Sequence, residues 1–349
     1  MLPISDIESL PEWFTRDGGG GAVTVSTRVR LARNVHGARF TSVATAEERE
    51  AVLERVVGAA GKAPLFGQFD TILTQSISQH EKLALHERHL APRALLDDKK
   101  PSALLVSSDE GGAVVVNEED HVRMQALRPG LAAEEAWDAV DAMDDLLDSA
   151  VDFAYSAELG YLTACPTNTG TGLRVSVMMH LPGLVLTGRL GNVSAALMQG
   201  GFTLRGMHGE GSEPAGYFFQ ISNQQALGRS EGRIISECTE LAKQIEAYEE
   251  RARRKIAAGD SIMLEDRVNR ARALLGAARL MGSQEAIVLL ATMRLGAAAG
   301  AISATRYADI DRLLMITQPG HLQTLYGGEL NEKERDKLRA EIIHKHLPS

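Results

Sequence analysis

The sequence predicts a mixed α and β unit followed by an all-helical one, and three observations carry that expectation. Short apolar runs alternate with helical stretches from residue 23 to about 240, glycine punctuates the joins, and beyond 240 the strand-like runs stop. With 349 residues, 44% of them hydrophobic and 24% charged, the chain has a globular composition and the length of two domains. No run of about 18 apolar residues occurs, and the opening M-L-P-I-S-D-I-E-S-L-P-E-W has neither a basic nor an apolar signal region. A cytoplasmic location and no membrane partner are therefore expected. The net charge of −9 argues against nucleic acid as the main partner.

Taken in order, residues 1–22 read as a short lead-in ending in D-G-G-G-G-A. A domain over 23–245 follows, with strands at 103–107, 113–116, 184–187 and 216–221 and helices at 46–60 and 132–159. The second domain, 246–349, is expected to be helical, because 236–258, 263–281, 283–299, 307–316 and 331–346 carry apolar residues at spacings of three to four. The breaks fall at Gly259-Asp260, Gly282-Ser283, Ser303-Ala304 and Gln318-Pro319-Gly320. Ser283 with Glu285, and Asp260 with Ser261, read as caps. The Ala/Gly-rich 291–304 predicts a tight helix pair or an oligomer contact. Two cysteines, Cys165 and Cys238, are too few for a disulfide scaffold or a cysteine zinc site and are read as reduced thiols.

Four segments concentrate glycine, arginine or carboxylate beside an apolar run. Of 37 basic side chains only nine are Lys, and none lies in 101–242, so any anion met there is met by the bidentate fork of arginine. In V-T-V-S-T-R-V-R-L-A-R-N, Arg28, Arg30 and Ser26 share one face of an extended segment; alone, the string reads as an edge strand with solvated arginines. In A-V-V-V-N-E-E-D-H-V-R, a buried strand runs into Glu118, Glu119 and Asp120, three carboxylates that repel unless a cation meets them. In Y-L-T-A-C-P-T-N-T-G-T-G-L-R-V-S-V-M, Gly170 and Gly172 would let backbone approach a ligand, with Arg174 on the strand that follows. The glycine-rich L-R-G-M-H-G-E-G-S-E-P-A-G reads as a loop that closes over something. Phosphate-binding G-x-x-x-x-G-K-[ST], the H-R-D and D-F-G pair and a dinucleotide-binding unit are absent, so phosphoryl transfer here would have to be run by arginines.

Together these segments resemble the phosphagen (guanidino) kinases such as creatine and arginine kinase. The family's S-x-R-x-R is Ser26-Thr27-Arg28-Val29-Arg30, its N-E-E-D-H-x-R starts at Asn117, its C-P-[ST]-N-x-G-T-G-L-R starts at Cys165, and its R-G-x-x-G loop starts at Arg205. The added helical region with its R-D-x-x-R-A (335–340), taken with N-E-E-D-H and the R-G-x-x-G-E-G-S-E loop that starts at Arg205, looks like the bacterial protein-arginine kinases. The resemblance implies an α+β fold, an antiparallel sheet flanked by helices, followed by a C-terminal all-α domain for regulation and oligomerisation. It implies ATP with Mg²⁺ as donor and the arginine side chain of a protein as acceptor, in protein quality control that marks substrates for degradation. A homo-oligomer, a zinc-finger activator and an AAA+ Clp-type protease would be the partners. Glu119 would be the catalytic base, with Glu118, Asp120 and Glu210 orienting the guanidinium. Arg28, Arg30, Arg123, Arg174 and Arg205 would cage the phosphates. Ser26, Thr27, Val29, Val175, Ser176, Val177, Met178, Gly206, Met207, His208, Gly209 and His89 would complete the nucleotide site. Cys165 would be a thiol beside the site, Arg335, Asp336 and Arg339 a regulatory phosphoarginine pocket, and no metal would be held by the protein alone. His86 and His180 are read as surface or packing residues. A kinase for free arginine and an inactive phosphoarginine-binding adaptor are the alternatives.

Overall fold

A computed structural model describes residues 10–15, 21–97, 100–206, 216–259, 261–302 and 307–347. In chain order the elements are α1 (Glu12–Thr15), β1 (Thr24–Arg33), α2 (Ala46–Ala60), β2 (Phe69–Leu73), α3 (Gln79–Glu87), α4 (Ala94–Asp97), β3 (Ala103–Ser107), β4 (Gly112–Val116) and β5 (Val122–Pro129). Then come α5 (Ala133–Val151), β6 (Tyr155–Ser156), β7 (Gly160–Tyr161), β8 (Leu173–His180), α6 (Pro182–Leu186), α7 (Leu190–Gln199), β9 (Phe202–Gly206) and β10 (Phe218–Asn223). The rest is helical: α8 (Glu231–Gly259), α9 (Ser261–Ala277), α10 (Ser283–Ala298), α11 (Tyr307–Ile316), α12 (Pro319–Tyr326) and α13 (Glu332–His346). The α+β class with a helical C-terminal part is as expected.

Eight strands form one antiparallel sheet in the order β2-β3-β4-β5-β1-β8-β10-β9, with β6 and β7 a separate hairpin. β1 is not an edge strand: it lies between β5 and β8, with Arg30 opposite Gln125 on one side and Arg174 on the other. Strand alternation then gives the sheet two unlike faces. One carries Val29, Leu31, Val122, Met124, Val175, Val177 and Ile221, all buried against residues of α2, α5 and α8 in the main core. Each such side chain contributes about 1.5–3 kcal/mol of burial. The other face carries Arg28, Arg30, Arg123 and Arg174. At its far end Val25, Leu127, Met178 and Phe218 join a second core built from α9, α10, α11 and α13.

Several boundaries differ from expectation, each for a tertiary reason. The run 184–187 is no strand; Pro182 starts the short α6, whose Gly183 and Leu184 N–H groups donate to the Glu249 carboxylate at 2.7 and 2.8 Å. Helix α5 stops at Val151 rather than 159, because Asp152 at φ +59° turns the chain so that Phe153 bridges Val35. α12 occupies the stretch read as a break, with Pro319 in its first turn, where proline's missing N–H costs nothing. Gly282, not Ser283, holds the cap position of α10, and no side chain bonds there; Asp260 lies outside the described residues. The boundary at 245 falls inside α8, a continuous helix across it. The lead-in is not inert either: Trp13 is buried in the second core.

Candidate active site

The arginine-bearing face opens into a cavity of about 570 Å³ lined by Arg28, Arg30, Arg93, Arg123, Arg174 and Arg205, with Glu118 and Glu119 at one side. β1 supplies Arg28 and Arg30, β8 Arg174, β5 Arg123 and β9 Arg205, so one sheet face fixes five of the six guanidinium groups. Arg30 and Arg174 are direct cross-strand partners, a pairing of like charges that destabilises the empty sheet. Burial, then Arg174 and Arg123, push the Arg28 pKa down to about 10, and burial with the neighbouring Arg28, Arg174 and Arg123 pushes Arg30 well below the ordinary guanidinium range. The Nε groups of Arg28 and Arg30 are buried and meet no acceptor among the described residues. Such a site fits a polyanion.

The N-E-E-D-H segment divides its side chains by role. Asn117, at φ +63° and fully buried, donates Nδ2 to Arg49 O (2.7 Å) and Pro101 O (3.1 Å), which ends β4 in a fixed turn. Asp120 is turned away from the cavity: its Oδ1 accepts from Asn34 Nδ2 and Ala164 N, both at 2.7 Å. Of the three acids of this segment expected at the site, two face it, and Asp120 holds the rim together instead. His121 accepts Val35 N at Nδ1 and, donating from Nε2, meets Arg39 O at 2.9 Å; burial lowers its pKa and keeps this neutral tautomer. Glu118 lies 2.6 Å and Glu119 3.2 Å from Arg123 Nη2, with side-chain exposures of 9% and 45%. Thr41 donates to the Glu119 carbonyl, fixing its backbone.

The remaining expected residues fall into three groups. His89 and Cys165 line the cavity, the thiol 2.9 Å from Thr167 Oγ1. Val29, Val175 and Val177 point into the main core, Thr27 donates to Gly130 O at 2.7 Å, Ser26 and Ser176 are buried, and Met178 packs in the second core. These seven and Gly206 do not line the cavity, and the strand period of two explains the valines. Met207, His208, Gly209 and Glu210 lie outside the described residues. Gly172 lines the cavity, and its conformation also serves its own chain: at φ +69°, a Cβ would sit 2.5 Å from Ala32 O. Gly170 likewise meets Leu227. Among the cavity residues not anticipated are the polar side chains of His86, Arg93, Gln125 and Gln220. Gln125 could have been found from its position two along β5 from Arg123; Gln220, whose Oε1 accepts from Arg28 Nη2 at 3.4 Å, has no local signal.

In the C-terminal region Arg339 is not on a solvated face. It is 1% exposed, donates to Thr317 O (2.8 Å), Met281 O (2.6 Å) and Asp336 Oδ1 (2.6 Å), and so holds the ends of two other elements. Arg335 and Asp336 are half-buried beside it.

Clustered guanidinium groups facing a carboxylate pair are what transfer of a phosphoryl group to a guanidine requires, and they place the fold among guanidino phosphotransferases. The sequence model of the ATP:guanido phosphotransferase C-terminal catalytic domain matches residues 51–252, and that of the protein-arginine kinase McsB C-terminal domain matches 261–349. The protein-arginine kinase of Caldanaerobacter subterraneus subsp. tengcongensis is 40% identical over 330 residues, 93% of this chain and 97% of that one. That of Geobacillus stearothermophilus is 40% identical over 337 residues, 96% and 93% of the two chains. Among solved structures, the duplicated taurocyamine kinase of Schistosoma mansoni with transition-state analogue components superposes with a TM-score of 0.61 at 26% identity, over 70% of this chain and 35% of that one. The chain belongs to the ATP:guanido phosphotransferase family, in its protein-arginine kinase branch.

Proposed function

We infer that this cavity transfers the γ-phosphoryl group of ATP to the guanidino group of an arginine side chain in a protein. The observation that carries it is six guanidinium groups and the Glu118–Glu119 pair lining one cavity. A guanidinium keeps its proton to pH values above 12 and offers no free lone pair, so it must be oriented and relieved of a proton as it attacks. Glu119, more exposed and held less closely by Arg123 than Glu118, suits the proton acceptor; Glu118 orients. The new N–P bond forms as the P–O bond to ADP breaks, and the proton passes to Glu119. Arg28, Arg30, Arg174 and Arg205 stabilise the charge spread over the transferring oxygens. Mg²⁺ would arrive on the nucleotide and neutralise its phosphates; among the described residues no three His, Cys, Asp or Glu side chains converge on a metal site.

A protein acceptor is supported by relatives matched over nearly their whole length. A role in marking proteins for a Clp-type protease, a zinc-finger activator, a homo-oligomeric state and a cytoplasmic location belong to the same proposal. So does a phosphoarginine pocket at Arg335 and Asp336, with Arg339 as its buried floor. No helix among the described residues is long and apolar enough to cross a membrane. The test is incubation with ATP, Mg²⁺ and either an unfolded protein or free arginine, followed by mass spectrometry for acid-labile N-phosphorylated arginine. Phosphoarginine on the protein is expected. Free arginine phosphorylated at a matching rate would overturn the choice of acceptor.

A further inference from the structure

Beside the cavity, four ionisable side chains are buried where the two domains meet: Glu87 (6% exposed), Arg88 (0%), Glu110 (8%) and His321 (0%). Glu87, the last residue of α3, accepts the first free N–H groups of α12, from Gly320 at 2.7 Å and His321 at 3.0 Å, and His321 Nδ1 at 2.8 Å. A carboxylate at a helix start meets both the unpaired N–H groups and the positive end of the helix dipole. With Nδ1 donating, His321 Nε2 is an acceptor, and Arg88 Nη1 lies 3.3 Å from it. Arg88 is bound in turn by both oxygens of Glu110 at 2.6 Å. The contact is also close in backbone terms, since a Cβ on Gly320 would lie 2.5 Å from Ala84 N.

The residues flanking this cluster face the other way. His86 and His89 line the cavity, one on each side of Glu87 and Arg88. His89 has φ +59°, a left-handed conformation that a non-glycine residue keeps only under constraint. Its carbonyl is held by Gln125 Nε2 at 2.7 Å, and its ring meets Trp13 edge-on at 5.4 Å. One short stretch of chain is thus tied on one side to α12 and lines the phosphate-binding cavity on the other.

We propose that Glu87 and His321 are positioning residues for the nucleotide: through α12, the helical domain holds the turn at 86–90 so that His86 and His89 face the arginine cage. The proposal rests on the reading of the cavity as an ATP site. His321→Leu removes both ring hydrogen bonds while keeping bulk, and His321→Asn places an amide donor near the position of Nδ1. For His321→Leu, the Kd for Mg-ATP should rise about tenfold, amide exchange at 86–90 should quicken, and KM for the acceptor protein should change less than twofold. His321→Asn should recover most of the affinity. Wild-type nucleotide affinity in the Leu variant, or equal losses of nucleotide and acceptor affinity in both variants, would overturn it. Should the Leu variant not fold, Glu87→Gln, which keeps an acceptor but loses the charge, must show the same selective loss of nucleotide affinity or the proposal fails. A wild-type protein that binds no ATP would instead sink the reading of the cavity itself.

Discussion

Replacing Arg28 by Met should make the ligand-free protein more stable while disabling it. Burial and the neighbouring Arg174 and Arg123 pull the Arg28 pKa from its ordinary value above 12 to about 10. At about 1.4 kcal/mol per tenfold change, the charged form costs the folded state about 3 kcal/mol. The sign follows from the lowered pKa of a base: the cost is complete below about pH 10 and is relieved only as pH rises through that value. Methionine has a similar stem and no charge, and it gives up only the 3.4 Å bond to Gln220. A gain of about 1–3 kcal/mol is therefore expected, at about 2–4 °C per kcal/mol in a thermal melt. The gap between variant and wild type should stay constant from pH 6 to 9 and narrow when Mg-ATP is added, because phosphate neutralises the cage in wild type. A ligand-free Arg28→Met protein that melts below wild type would refute the argument that the cage is strained by its own charge.

Three further outcomes follow from the same geometry. Glu119→Gln should lower turnover about a hundredfold or more in a steady-state assay while the Kd for ATP barely moves; undiminished turnover would remove Glu119 from the chemistry. Gly172→Ala must force a side chain into φ +69° and against Ala32 O, and a loss of about 1–3 kcal/mol in denaturant unfolding is expected. Arg339→Ala leaves the carbonyls of Thr317 and Met281 without their buried donor, so a loss of about 1–3 kcal/mol is expected in a thermal melt, before any question of ligand binding is asked.

What could be read from the sequence was whatever depends on near neighbours. The alternation in β1, β5 and β8 places Arg28, Arg30, Arg123 and Arg174 on one face, because a strand's period of two needs no tertiary information. Long helices with three-to-four spacing were equally plain. The direction of each acid in N-E-E-D-H was not, since Asp120 is turned inward by Asn34, which lies on another segment. The same cause hid α6 and α12, short helices whose opening N–H groups are met by Glu249 and Glu87 from distant parts of the chain. The part Arg339 plays in holding other elements could not be read either, because its acceptors, Thr317 O and Met281 O, are backbone atoms that no residue pattern announces.

The carbonyl of Ala22 accepts Arg253 Nη1 at 3.0 Å and Arg294 Nη1 at 2.9 Å, while Gly21 O accepts Arg294 Nη2 at 3.2 Å. Arg253 belongs to α8 and Arg294 to α10, and both are buried. One carbonyl just before the strand that bears Arg28 and Arg30 thus anchors cations from two helices, α8, which runs across the domain boundary, and α10 in the helical part. The two halves are not interchangeable modules. A cut inside α8 would take Glu249 from α6 and strand Arg294 with a single carboxylate partner, Asp311. Swapping the helical half between relatives should succeed only where the graft carries its own matching entry to the first strand, so the unit of exchange is the whole chain from the lead-in onward.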